Sequence, residues 1–310
     1  QVPCPAYRNC SYLPRYNLEM PVPKSATSRI VAVISDIHFD LHHEPTWRAF
    51  RAWHKEVKPW RTVILGDFVD LGMMSRYVQE PDAPLHAIPQ IQCFVREANA
   101  LAKECGSLVI VEGNHDERWA RILMGVAPHV LNGAVGLSLK DQCIGQGLTR
   151  SVEWIRESNK CLGYRVGQFL LRHGHRQSGR FGGGKHLAAN ALAKSMGQSV
   201  IFGHFHQGQL FCHTAQGRTA IAIANPSMTV NHDYAQDPSW QRGFSIVEVF
   251  DTGKQLHAQA YPLIVEGGIF AWGGKVYDGR DHSRSESVVK TARATKAPQT
   301  KTAKAKVQRK

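Results

Sequence analysis

No stretch of 18 or more apolar residues occurs in the 310-residue chain, which argues against a membrane-spanning helix. Cysteine is sparse: seven residues (4, 10, 93, 105, 143, 161 and 212) with no Cys-x-x-Cys spacing. That argues against a disulfide scaffold and makes a reducing, cytoplasmic setting the expectation, a Cys4–Cys10 bridge being the weaker alternative. The chain opens on Gln1-Val-Pro-Cys-Pro, with neither an initiator methionine nor a basic-then-apolar leader. Helix-turn-helix, RNA-recognition and zinc-finger signatures are also missing. Acidic residues are in short supply, 25 against 38 Lys and Arg, for a net charge of +13. Of this excess, +8 falls in residues 279–310, which lack aromatics and are rich in Ala, Thr and Ser. Such a segment cannot bury enough surface to fold alone. It reads as a basic disordered tail that attracts DNA or RNA, or equally as a solubilising end.

What is present is a 43% hydrophobic content, enough for one sizeable core. Residues 1–28 carry five prolines and read as an arm. Apolar runs at 30–35, 62–65, 108–111, 166–172, 200–202, 219–224 and 244–250 read as strands. Helical spacing follows the first two, through Trp47, Phe50, Trp53 and Val57 and then through Ile91, Phe94, Val95, Ala98 and Leu101. A further helix is expected near 186–196. Alternation of strand and helix predicts a largely parallel sheet, with the last strands antiparallel in a second sheet. Residues 118–160, weakly patterned, read as an insertion over the active face within a domain spanning 29–278.

Chemistry-bearing residues stand just past five of the runs: Asp36-Ile-His38, Gly66-Asp67-Phe-Val-Asp70, Gly113-Asn114-His115-Asp116, His173-Gly-His175 and Gly203-His204-Phe-His206. Taken singly, an Asp after a strand often caps a turn. Taken together, oxygen and imidazole donors at the carboxyl ends of neighbouring strands are what two adjacent divalent cations need.

The set resembles the calcineurin-like metallophosphoesterase superfamily, with its pattern D-x-H, G-D-x-x-D, G-N-H-[DE], H and G-H-x-H, over residues 31 to about 206. The resemblance implies a two-sheet α/β/β/α sandwich. It implies that Asp36, His38 and His206 hold one metal, that Asn114, His173 and His204 hold the other, and that Asp67 bridges both. It also implies a metal-bridging hydroxide that attacks the phosphate, with His115 as general acid to the leaving oxygen. Asp116 is expected to orient His115, Asp70 to fix its loop, and His175 to contact substrate or support the site. A mixed Asp, Asn and His set suits Mn or Fe, with Zn or Ni as further candidates.

Gly179-Arg-Phe-Gly-Gly-Gly-Lys185 matches a phosphate-binding loop, except that His186 stands where Ser or Thr should be. It reads first as a flexible loop, and second as a substrate-phosphate clamp through Arg180 and Lys185. Trp119 and Trp154, near several arginines, could stack bases, but core or lid packing is the preferred reading. The expected function is hydrolysis of phosphodiester bonds, with nucleic acid as substrate through nuclease or DNA-processing activity. Alternatives are a phosphomonoesterase or protein phosphatase, a nucleotide phosphodiesterase, or an inactive nucleic-acid-binding scaffold.

Overall fold

Apolar runs without alternation can be strands only where both faces are covered, and two stacked sheets meet that demand here. The computed structural model describes residues 28–75, 86–126, 136–158, 161–177, 185–231, 239–251 and 256–281. Its strands are β1 (Arg29–Ile34), β2 (Arg61–Leu65), β3 (Leu108–Val111), β4 (Glu153–Ile155), β5 (Tyr164–Val166), β6 (Phe169–Arg172) and β7 (Val200–Phe202). They continue with β8 (Gln209–Ala215), β9 (Arg218–Ala224), β10 (Gly243–Asp251), β11 (Leu256–Ile264), β12 (Ile269–Trp272) and β13 (Lys275–Asp278). One sheet has the order β11-β10-β1-β2-β3-β4, the other β5-β6-β7-β9-β8, and β12 pairs with β13 alone.

Alternate residues of each strand serve different layers. Val31 and Val33, Val63 and Leu65, and Val109 and Val111 meet Phe169, Leu171, Ile201 and Ile223 between the sheets. Ala32, Ile34, Ile64 and Ile110 face the other way, onto α1 (Glu44–Val57) and α2 (Ala87–Glu104). The second sheet turns Val200, Phe202 and Ala222 onto Leu187, Ala191 and Leu192 of a later helix, Leu187–Lys194. The layers are therefore helix, sheet, sheet, helix. Each large side chain buried in them, such as Phe50, Phe94 or Phe244, stabilises the fold by roughly 1.5–3 kcal/mol.

Several expectations are corrected. The strand at 244–250 belongs to the first sheet, antiparallel to β1 and β11, because its alternate residues fill both of that sheet's cores. The run at 166–172 is not one strand: Val166 ends β5, the chain folds back at Gly167, and β6 pairs antiparallel with β5. Residues 118–160 are not only an insertion: β4 extends the first sheet beside β3, with Trp154 opposite Ile110. The segment also supplies α3 (Glu117–Val126) and α4 (Leu139–Gly145), the latter begun by a Ser138–Asp141 capping box. Trp119 and Trp154 pack against the apolar core, and their indoles donate to Leu137 O and Glu112 Oε1. The helix predicted near 186–196 is α5 (Leu187–Lys194). The arm expected at 1–28, apart from Ser28, lies outside the described residues, as do Cys4, Cys10, the Gly179–Gly184 loop with Arg180, and the tail expected at 279–310, apart from residues 279–281.

Fully buried His54 on α1 joins α1 to α2 and β2. Its Nδ1 donates to Glu104 Oε2 at 2.7 Å, and its Nε2 accepts from Thr62 Oγ1 at 2.8 Å. Arg51 holds the same Glu104 by two bonds of 2.8 Å. Burial drives the His54 pKa from 6.5 down to about 4. The unfolded chain therefore takes up this proton first, and the His54 contribution, complete above pH 6.5, is lost as pH falls towards 4. Between pH 7 and pH 5 the loss should be roughly 2 kcal/mol. Urea unfolding at both pH values checks it: wild type should lose that much more than His54→Gln, and equal losses would refute the assignment.

Candidate metal centre

Parallel strands β1, β2 and β3 end at one edge of their sheet, and β6 and β7 end at the matching edge of the other. The five motif loops are thereby brought together at one mouth of the sandwich. Ligand atoms of Asp36, His38 and His206 lie within 4.8 Å of one another, as do those of Asp67, His173 and His204. His173 Nε2 lies 3.0 Å from Asn114 Oδ1 and 3.2 Å from Asp67 Oδ2, which joins Asn114 to the second group. His206 Nε2 is 3.3 Å from Asp36 Oδ1, and His38 Nε2 is 4.0 Å from Asp67 Oδ2. All seven expected ligands thus converge, with Asp67 between the two groups.

Backbone geometry explains how the loops reach inward. Asp36, His38, Asp67, His204 and His206 all take positive φ, from 49° to 75°. Such conformations cost on the order of 1 kcal/mol or more each and persist only where neighbours enforce them. The enforcing bonds are present: Asp36 N donates to Gly66 O, His38 N to Asp67 O, and His204 N to the Asp36 carboxylate. Gly113 is required by close approach, since a Cβ there would lie 2.2 Å from Asp67 Oδ1.

Electrostatics favour ionised carboxylates. Burial opposes ionisation of Asp67, but His173, His115 and His38 overcome it and hold its carboxyl well below the usual range. Asp36, likewise buried, is brought down to about 2 by His206. His173 is pushed up to about 10 against its own burial, chiefly by Asp67, while burial and His173 lower His204 to about 4. His173 Nδ1 donates to Leu65 O at 2.6 Å, leaving Nε2 turned to the centre. To hold a cation there, His173 would give up its Nε2 proton. Two buried anionic carboxylates, an amide oxygen and four imidazoles, in two groups of coordinating size, fit a pair of divalent cations.

Around this core the roles differ from expectation in one respect. Asp116 does not orient His115; its Oδ2 accepts from Asp67 N at 2.8 Å and Gly113 N at 2.7 Å, bracing the β2 and β3 loops. Burial and the Asp67 charge raise its pKa. His115 is oriented by residue 70 instead. Its Nδ1 donates to Asp70 O at 2.8 Å and lies 3.1 Å from Asp70 Oδ1, which also takes His38 Nδ1 at 3.1 Å. Arg118 donates to His115 Nε2 at 3.0 Å and to Asp70 O at 2.8 Å. Sequence reasoning missed this arginine's place; its position three residues after His115, on the first turn of a helix, was the available signal.

His175 sits beside the second group, its ring 5.3 Å from His173 and its Nε2 3.5 Å from Glu117 Oε2. Glu117 also pairs with Arg176. Glu157 Oε1 accepts from His173 N at 2.6 Å, and Trp240 packs edge-on against His206. Lys185 is exposed, at a cleft lined also by His186, Gln209 and Phe211.

Among curated proteins, the chain is similar to the Gene 54 protein of Mycobacterium phage L5, with 25% identity over 264 residues, covering 81% of this chain and 99% of that protein. Solved structures with a similar fold include Vacuolar Protein Sorting 29 from Cryptosporidium parvum (12% identity, 81% and 96% coverage, TM-score 0.40). Another is Vps29 from Entamoeba histolytica complexed with Zn2+ (13%, 74% and 97%, TM-score 0.35). Residues 30–208, which carry every one of the converging motifs, match the calcineurin-like phosphoesterase family, and the chain belongs to it.

Proposed function

We propose that this protein is a dinuclear metal-dependent phosphodiesterase acting on nucleic acid. The observation that carries the reading is the two neighbouring ligand groups, Asp36, His38 and His206 and then Asp67, His173 and His204, with Asp67 Oδ2 4.0 Å from His38 Nε2 of the first. Two divalent cations, Mn or Fe by donor type, would supply Lewis acidity and an acidified water when bound there. Asp67 stays ionised to serve both sides. Asp70 and Asp116 hold the loops that carry His38, Asp67 and His115 in register. His115 Nε2, 3.9 Å from Asp67 Oδ2, accepts from Arg118; once Arg118 lets go and the ring nitrogen takes up a proton from solvent, it is placed to pass that proton to the departing oxygen.

A polyanionic substrate is supported by the net charge of +13. It is supported too by a cleft of about 520 Å3 lined by Arg156, Glu157, Ser158 and Arg176. This cleft adjoins the centre through the bond from His173 N to Glu157. Residues 282–310 add basic charge whose effect on binding should fade with salt. Manganese-loaded protein should hydrolyse bis-p-nitrophenyl phosphate and cut DNA or RNA. Deleting 282–310 should weaken polynucleotide binding at low salt and leave the small diester's turnover intact. Preference for monoesters, phosphoproteins or mononucleotides would replace the nuclease reading with one of those activities. Absence of turnover with metal bound would leave a binding scaffold.

A further inference from the structure

Arg118 is placed by the same turn that presents the metal-side residues. Glu117 N donates to Gly113 O and Arg118 N to His115 O, both at 3.0 Å, so the first turn of α3 grows directly out of Gly113-Asn114-His115-Asp116. Adjacent helical positions point about 100° apart, and the two side chains part accordingly. Glu117 goes to His175 and Arg176, while Arg118 reaches back over His115 and Asp70. Its NH2 group is one imidazole nitrogen away from Asp67, the carboxylate between the two ligand groups.

Two of the bonds that Arg118 makes, to His115 Nε2 and Asp70 O, join a cation to a neutral ring nitrogen and a neutral carbonyl. A phosphoryl oxygen, carrying negative charge that grows on the way to the transition state, is a stronger acceptor, and a charge-assisted bond is about twice as strong as a neutral one. Arginine offers five donors in a planar fork, which suits two such oxygens at once. The tether to Asp70 O keeps the guanidinium at the centre when the bond to His115 is released.

We propose that Arg118 is a catalytic residue whose guanidinium exchanges His115 Nε2 for a non-bridging oxygen of the substrate phosphate. The assignment rests on the phosphoesterase reading above. The same exchange uncovers His115 Nε2 as substrate arrives, so one side chain both grips the phosphate and clears the ring nitrogen.

Arg118→Ala should lower kcat on bis-p-nitrophenyl phosphate by about 100-fold, with manganese content equal to wild type. Arg118→Lys should keep part of the activity. Guanidinium ion at millimolar concentration should restore part of the turnover of Arg118→Ala, which a merely structural loss would not allow. Calorimetric titration of inorganic phosphate into manganese-loaded protein should show at least tenfold weaker binding to Arg118→Ala. Equal phosphate affinity in the two proteins would overturn the proposal, as would absence of guanidinium rescue. If wild type hydrolysed no ester at all, the enzymatic reading would fail, and the phosphate titration would still decide whether Arg118 holds the anion. Should Arg118→Ala lose its metals, Arg118→Gln and Arg118→Lys supply the same comparison.

Discussion

On the proposed dinuclear reading, Asp67→Ala should lose bound metal, and turnover should fall by on the order of a thousandfold or more. Asp67 is the one carboxylate placed between the two groups: Oδ2 lies 3.2 Å from His173 Nε2 and 4.0 Å from His38 Nε2, and Oδ1 accepts from His115 N at 2.8 Å. Removing it takes away the shared anion that makes two nearby cations tolerable, and it leaves His173 without its principal source of basicity. Metal content by plasma mass spectrometry and turnover of bis-p-nitrophenyl phosphate measure the two losses separately. A variant that kept two metals and near-normal rates would remove Asp67 from the centre.

His115→Ala should behave differently: turnover down by about 10²–10⁴ with metals retained. His38, Asp67 and His115 also place their ligand atoms within 4.8 Å, so proximity alone would admit His115 as a ligand. What argues against it is the hydrogen bonding. Its Nδ1 is committed to Asp70 O, and its Nε2 accepts from the Arg118 cation, an arrangement that turns the nitrogen lone pair away from another cation. Loss should be smaller for substrates whose leaving group needs no proton, so p-nitrophenyl esters should suffer less than dinucleotides. Parallel loss of metal in this variant would make His115 a ligand and refute the role given to it.

Much of this centre was legible in the residues, because each ligand directly follows an apolar run long enough to be a strand. The positions of Asp36, Asp67, Asn114, His173 and His204 could be read for that reason. Strand direction could be read only in part: nothing in Phe244–Phe250 distinguishes the strand that pairs with β1 from one that would extend β9. β8 was missed because its residues are mostly exposed and offer no clean alternation, and β4 because three residues are too few to show a period. The role of Asp116 was misassigned through its nearness to His115 in sequence. Its carboxylate looks instead to the amides of Asp67 and Gly113, a choice made by the crossing of two loops and invisible in either one. The left-handed backbone at Asp36, His38, Asp67, His204 and His206 was likewise beyond reach, since it is imposed by partners distant in sequence.

The donors of each group come from both sheets: Asp36 and His38 with His206 in one, Asn114 with His173 and His204 in the other, and Asp67 between them. A cation held there acts as a clasp across the two layers, so its departure and the parting of the layers become linked events. The rate at which a chelator strips the protein would then gauge how often the sandwich opens at that rim, and occupancy would raise the whole domain's resistance to unfolding by mass action.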